Sequence, residues 1–181
     1  NGIKESATDM SALLTNMLSL AKADDEKVKR VETEVDFSTL ATSVILNYEA
    51  ILFESNKCFS YDIDNGITVK GNENELKQLI KIFLDNAKKY SDEHGSITIS
   101  LKAVKDKAVL TVYNTGVPIP ADEIDKIFDR FYRVDKVRTT ASGYGLGLSI
   151  AKNIAEAHYT KIHVTSNENG TTFSVAFKST K

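Results

Sequence analysis

Three of the nine glycines fall within five positions, Gly143, Gly145 and Gly147, where a polar loop ending at Ser142 runs into the apolar stretch Leu146-Gly147-Leu148-Ser149-Ile150. Glycine lets the main chain approach an anion with no Cβ in the way, and the open N–H groups and positive end of the following helix supply the attraction. The element is expected to cradle phosphate. A similar glycine pattern opens dinucleotide-binding folds, but there a hydrophobic strand directly precedes the glycines. Arg133 to Ser142 is charged and has no period-2 alternation, so a dinucleotide fold is excluded.

The 181 residues are 41% hydrophobic and 27% charged, enough for one full core plus an appendage. A net charge of −2 gives no electrostatic reason to expect nucleic acid or an anionic membrane as partner. The single cysteine, Cys58, excludes an internal disulfide, fits a reducing compartment, and is expected to be a small buried hydrophobe. No apolar run approaches the ~20 residues of a membrane span and no signal peptide opens the chain. A cytoplasmic location without direct membrane contact is expected, and the start in mid-helix reads as part of something longer.

From Gly2 to about Val28 there is no proline and no turn cluster; Ile3, Met10 and Met17 repeat every seven residues, with Leu13 and Leu20 on a second such series. Residues 1–28 are therefore expected to be a helix packed in a bundle, in preference to one lying on the domain's own core. Residues 29–181 form the second unit. Val31 to Phe37 reads as a strand and Ser38 to Phe53 as a helix with Leu40, Val44, Ile45 and Tyr48 inward. Cys58–Ile63 and Ile67–Lys70 read as two strands about a turn at Asn65-Gly66. Asn72 to Tyr90 is a second helix capped by Asn72 or Asn74. Antiparallel strands follow around Ile97–Leu101 and Val109–Tyr113, then a helix from Leu146 to His158, then strands Ile162–Ser166 and Thr172–Lys178. The predicted fold is a two-layer α/β sandwich, with three helices on one face of a mixed, largely antiparallel sheet.

Along the second helix Leu76, Leu79, Ile80, Phe83, Leu84 and Ala87 form the inner stripe, with Asn86, Lys89 and Tyr90 along its edge. A carboxamide suits a hard cation such as magnesium, an ammonium suits phosphate, and a phenol ring is a flat partner for a purine. Both prolines lie in Tyr113-Asn114-Thr115-Gly116-Val117-Pro118-Ile119-Pro120, where a strand ends in a polar, stiffened exit. The connection from Val117 to Ser142 is far longer than usual and reads as a lid with aromatic anchors at Phe128 and Phe131 and a cation at Arg133.

In this order the motifs resemble the C-terminal catalytic half of bacterial two-component sensor histidine kinases, whose ATP-binding domain has the Bergerat fold shared with gyrase, ninety-kilodalton heat-shock chaperones and mismatch-repair ATPases. Leu84-Asp85-Asn86-Ala87-Lys88-Lys89-Tyr90-Ser91 is similar to the asparagine box, Asn114-Thr115-Gly116-Val117-Pro118 to the first glycine box, Phe128–Arg133 to the phenylalanine box and Gly143–Gly147 to the second glycine box. The resemblance implies that Asn86 bridges to Mg2+, that Lys89 and Tyr90 contact phosphate and adenine, and that Arg133 holds the terminal phosphates. It also implies an adenine pocket at Asn114 and Gly116, a phosphate cradle at Gly143, Gly145, Leu146 and Gly147, and a framing Thr172. Residues 1–28 resemble the second helix of a dimerisation and phosphoacceptor hairpin. The implied partners are ATP, a second copy of the chain and a response-regulator receiver domain, and the implied parent is membrane-anchored by upstream segments.

Four departures from the family pattern stand out. Asn114 stands where an Asp is usual, Pro118 where a Gly is, Ile82 where another Asn often lies, and Tyr159-Thr160 where a Gly-Gly turn is common. Ile82 also decides between reaction classes. The ATP-hydrolysing relatives place a glutamate near that turn to activate water, and an aliphatic side chain is no general base. Transfer to a histidine is therefore expected over hydrolysis. None of His94, His158 and His163 is followed by an acid and a proline at the family's spacing, so the acceptor is expected upstream of these residues. The sequence thus reads as a histidine kinase catalytic domain; the alternative is a degenerate domain acting as a nucleotide-responsive or dimerising scaffold.

Overall fold

The computed structural model describes residues 33–134 and 144–180, so the heptad helix expected over 1–28 lies outside the described residues. Strand β1 (Thr33–Asp36) leads directly into helix α1 (Phe37–Glu54). Asp36 caps that helix, one carboxylate oxygen accepting from Thr39 N at 2.9 Å and the other from the Thr39 hydroxyl at 2.8 Å. After β2 (Cys58–Ile63) and β3 (Thr68–Gly71), helix α2 (Glu73–Tyr90) starts on Asn72, whose side-chain oxygen accepts from Asn74 N and Glu75 N. Glu73 and Glu75 in its first turn and Lys88 and Lys89 in its last complement the helix dipole. Strands β4 (Ser96–Val104) and β5 (Lys107–Asn114), a short 3-10 helix at Lys126–Phe128, helix α3 (Gly147–Ala157), and strands β6 (Ile162–Asn167) and β7 (Gly170–Lys178) complete the order.

Five strands form one sheet in the order β2-β4-β5-β7-β6, antiparallel except for the β2–β4 pair. Alternate residues face the helices: Ile97 sits opposite Asn114, Ile99 opposite Val112, Leu110 opposite Val175 and Val112 opposite Phe173. That face and the inner stripes of the helices make the core, with Phe83 of α2 stacked on Phe173 at 5.5 Å. Cutting Phe83 to Ala would cost about 3–5 kcal/mol, because the stacked partner cannot follow into the space. The expected sandwich, the three helices and the buried positions on α1 and α2 are all present.

Two expectations are corrected. The strands on either side of Asn65-Gly66 are not a hairpin: β2 runs parallel to β4 from Cys58 opposite Ser96 to Ile63 opposite Leu101, while β3 pairs with β1 in a separate two-stranded sheet. Asp64 keeps the chain on β4, its N–H donating to Leu101 O at 2.9 Å and its carboxylate accepting from Ala103 N at 3.0 Å. The same carboxylate takes the Lys102 ammonium at 2.8 Å, and these two donors hold its pKa below the usual carboxylate value. Beyond the turn the start of α1 captures the chain, since Phe37 N donates to Ile67 O and the Ser38 hydroxyl bridges Asp64 O and Ile67 N. Cys58, expected to be buried, is exposed, because it opens an edge strand that turns only Phe59 and Ile63 towards the core.

Candidate functional site

The last turn of α2, the exit of β5 and the entry to α3 are brought together by close backbone approaches. A Cβ on Gly116 would collide with the Tyr90 carbonyl oxygen, and Gly116 has φ +152°, a region that L side chains avoid. The first glycine turn therefore lies directly against the end of α2. Gly145, at φ +69°, accepts from Phe131 N at 2.9 Å, and a Cβ there would meet Phe131 C and Tyr132 O at 2.8 Å. That contact ties the segment carrying Arg133 to the entry of α3. Phe131 itself has φ +65° and is exposed, not the anchor expected of it, whereas Ile127 and Phe128 pack on the core.

Asn86 is half-buried, and its amide nitrogen donates to Ile82 O at 3.0 Å. The carboxamide oxygen is thereby left as an acceptor, with no donor to it among the described residues. One turn earlier, Ile82 lies under the start of α3, where a Cβ on Gly147 would come within 3.5 Å of its Cγ2. Helix α3 is entered at Leu146, whose side chain makes no cap hydrogen bond, so among the described residues no side-chain cap takes its first N–H groups. This fits an anion at the helix entry. Lys89 Nζ lies 5.1 Å from the centroid of the Tyr90 ring, itself 46% exposed.

Asn114 ends β5 at 3% exposure, its amide nitrogen donating to Thr115 O at 2.9 Å. Its oxygen has no donor among the described residues, so a nearly buried side chain keeps an acceptor for a ligand. Thr171 stands opposite it on β7 and shares a 2.7 Å hydroxyl pair with Ser166, which also accepts from Ile119 N at 2.9 Å. Thr172 pairs with Tyr113 instead, on the other face of the sheet. The Thr171–Ser166 pair was not singled out from the sequence; alternation counted back from buried Phe173 would have found it. Gly143 lies outside the described residues, whereas Asn86, Lys89, Tyr90, Asn114, Gly116, Gly145, Leu146 and Gly147 fall on these three segments and Arg133 on the stretch tied to Gly145.

Next to Asn86, Asp85 accepts from the Tyr48 hydroxyl of α1 at 2.8 Å. Partial burial raises the Asp85 pKa, opposed by that hydrogen bond and by Lys88 and Lys81. Burial pushes the Tyr48 phenol far above its usual value, reinforced by the Asp85 charge. Of the histidines, His158 is enclosed: Nε2 accepts from Asn72 N at 3.1 Å and Nδ1 lies 2.7 Å from Ile154 O, an arrangement that requires the neutral Nδ1–H tautomer. No described helix is long and apolar enough to cross a membrane.

The family model for histidine kinase-, DNA gyrase B- and HSP90-like ATPases matches residues 71–181. The sensor protein CiaH of Streptococcus pneumoniae is 40% identical over 173 residues, covering 94% of this chain and 38% of that protein. This chain thus spans about two fifths of such relatives. The nucleotide-free catalytic domain of histidine kinase ThkA superposes with TM-score 0.72 at 30% identity, over 82% of this chain and 95% of that one. ThkA in complex with the response regulator TrrA matches with TM-score 0.78 at 28% identity, over 96% of this chain and 49% of that one.

Proposed function

Because this chain belongs to the histidine kinase-, DNA gyrase B- and HSP90-like ATPases, in their sensor histidine kinase branch, we propose that it binds ATP with magnesium and delivers the γ-phosphoryl group to a histidine. The observation that carries the reading is the nearly buried Asn114 carboxamide, whose oxygen is left as an acceptor beside the Gly116–Tyr90 contact. An adenine amino group supplies the donor that oxygen needs. Tyr90 offers a face to the purine, and Thr171 rather than Thr172 lies on the same side of the sheet as Asn114.

Phosphoryl transfer asks the protein mainly for position and charge. Asn86 would offer one neutral oxygen to a magnesium ion, which would supply charge neutralisation for the phosphates. The uncapped entry of α3 at Leu146 and Gly147 meets phosphate with N–H groups, and Lys89 and Arg133 add positive charge. During transfer the bond from the γ-phosphorus to its bridging oxygen breaks, a bond to an imidazole nitrogen forms, and ADP leaves. Ile82 cannot activate water, which favours transfer over hydrolysis. The acceptor is a histidine outside this chain's three, on the phosphoacceptor hairpin to which residues 1–28 contribute within a homodimer. From there the phosphoryl group passes to a response-regulator receiver domain, and the domain works in the cytoplasm.

One observation favours a second reading, a scaffold without kinase activity: the acceptor at position 114 is an amide and not a carboxylate. Calorimetric titration of the chain with magnesium and a non-hydrolysable ATP analogue tests the first reading. Saturable one-to-one binding supports it, and absence of binding leaves the scaffold.

A further inference from the structure

We propose that Lys57, which no motif includes, is a positioning residue for the base side of the pocket; the inference rests on the nucleotide reading above. Lys57 follows α1, and its own N–H donates to Leu52 O, fixing its backbone to the end of that helix. Its ammonium donates to Ser91 O at 3.1 Å and Asp92 O at 2.5 Å. These carbonyls lie just past the C-terminus of α2, immediately after Tyr90, where a cation also meets the negative end of the helix dipole.

The turn that Lys57 grips is one link in a closed ring of contacts. Gly95 N donates to Asp92 O at 2.8 Å, and Gly95 O accepts from Cys58 N at 3.0 Å, the residue next to Lys57. A Cβ on Gly95 would come within 2.5 Å of Thr115 Oγ1, which itself accepts from Ser96 N at 2.9 Å. Thr115 then leads into Gly116, packed on the Tyr90 carbonyl. Lys57 thereby sets how far the end of α2 stands from the Asn114–Gly116 turn, the two walls between which the purine sits. The phosphate side, at Asn86 and the entry of α3, lies outside this ring.

Removing the ammonium breaks two charge-assisted bonds, and the Ser91–Gly95 turn can then shift relative to Thr115. Displacements of about 1 Å at a positioning group are costly to the function it serves. In Lys57→Met the affinities for adenosine and for a magnesium-bound non-hydrolysable ATP analogue should both fall about tenfold, while magnesium tripolyphosphate binds as before. Lys57→Arg keeps a cation able to span both carbonyls and should restore binding; Lys57→Gln, with a neutral amide, should not.

Calorimetry of the 181-residue chain and these variants, well below their unfolding temperatures, is the test. Wild-type chain that binds no ATP analogue would overturn the nucleotide reading itself. Wild-type binding with undiminished adenosine affinity in Lys57→Met would overturn the role of Lys57 alone. Equal losses for adenosine and tripolyphosphate, the mark of general loosening, would overturn it too. If Lys57→Met does not fold, the Arg and Gln variants decide: wild-type affinity in Lys57→Gln overturns the inference, and its loss with retention in Lys57→Arg supports it.

Discussion

Replacing Asn114 by Asp would present an ionised acceptor to the purine, a hydrogen bond roughly twice as strong as a neutral one. Against that gain stand the cost of desolvating a carboxylate and the loss of the bond from Asn114 to Thr115 O. The expected net effect on ATP affinity is about twofold to fivefold, up to about 1 kcal/mol, with a larger rise in preference over GTP, whose carbonyl would face the charge. Calorimetry with both nucleotides decides, and an equal gain for GTP would mean that position 114 does not face the base. Asn86→Ala and Arg133→Ala should leave adenosine binding intact while ATP binding collapses, the partners proposed for these side chains being the cation and the terminal phosphates; parallel losses would count against both roles. Incubated with magnesium and ATP, the chain should acquire no acid-labile phosphate on His158, because both its ring nitrogens are engaged within the core. The positions of Asn86 near the end of a helix and Asn114 at the end of a strand were legible because each sits in a run of chemically paired residues on one element. Thr171 was not, since two adjacent threonines are told apart only by strand register, and Cys58 was misjudged because residue type says nothing of a strand's place at a sheet edge.

Helices were readable from their periodicity: the buried positions on α1 and α2 follow the apolar spacing, and Asn72 marks where α2 starts. The β2–β3 connection was not, because an Asn-Gly turn gives the local reversal and leaves open which strands pair afterwards; Asp64 and Ser38, distant in sequence, settle it. A second bond that sequence spacing cannot reveal joins α1 to α2 at Tyr48 and Asp85. Burial holds the folded pKa of Asp85 above its unfolded value, so its ionised form opposes folding at neutral pH, and this penalty is relieved as pH falls through the folded pKa. The Tyr48 hydroxyl opposes that shift, and Tyr48→Phe should push the Asp85 pKa higher still. The variant should be less stable than wild type by about 1 kcal/mol near pH 7, after allowance for solvent at a partly open carboxylate. The deficit should shrink as pH falls through the carboxylate range and Asp85 takes up a proton in both proteins. Urea unfolding near pH 7 and near pH 4 measures it; a deficit that stays the same on acidification would show that the bond does not depend on the Asp85 charge.

At the scale of the whole molecule, the proposed pocket draws on segments that meet only when the sheet is complete: α2 stands before β4 in the chain, Asn114 at the end of β5, and Thr171 at the start of β7. A ligand spanning them binds only the folded chain, so its binding energy adds to the stability of the whole domain. Magnesium with a non-hydrolysable ATP analogue at a hundred times its Kd should raise the unfolding free energy by about 2.7 kcal/mol, provided the unfolded chain binds none. Native-state hydrogen exchange should show this increment at the slowest amides, those of α2 and the central strands β4, β5 and β7, which exchange only when the domain unfolds. Amides that open locally should divide by position. Those of the Asn114–Gly116 turn and the entry of α3 should slow, because the nucleotide closes over them, whereas those of β1 and β3, in a sheet apart from the site, should exchange as before. Protection confined to α3, without change at the Asn114–Gly116 turn, would mean that phosphate binds but the base does not dock, and the adenine pocket would have to be sought elsewhere.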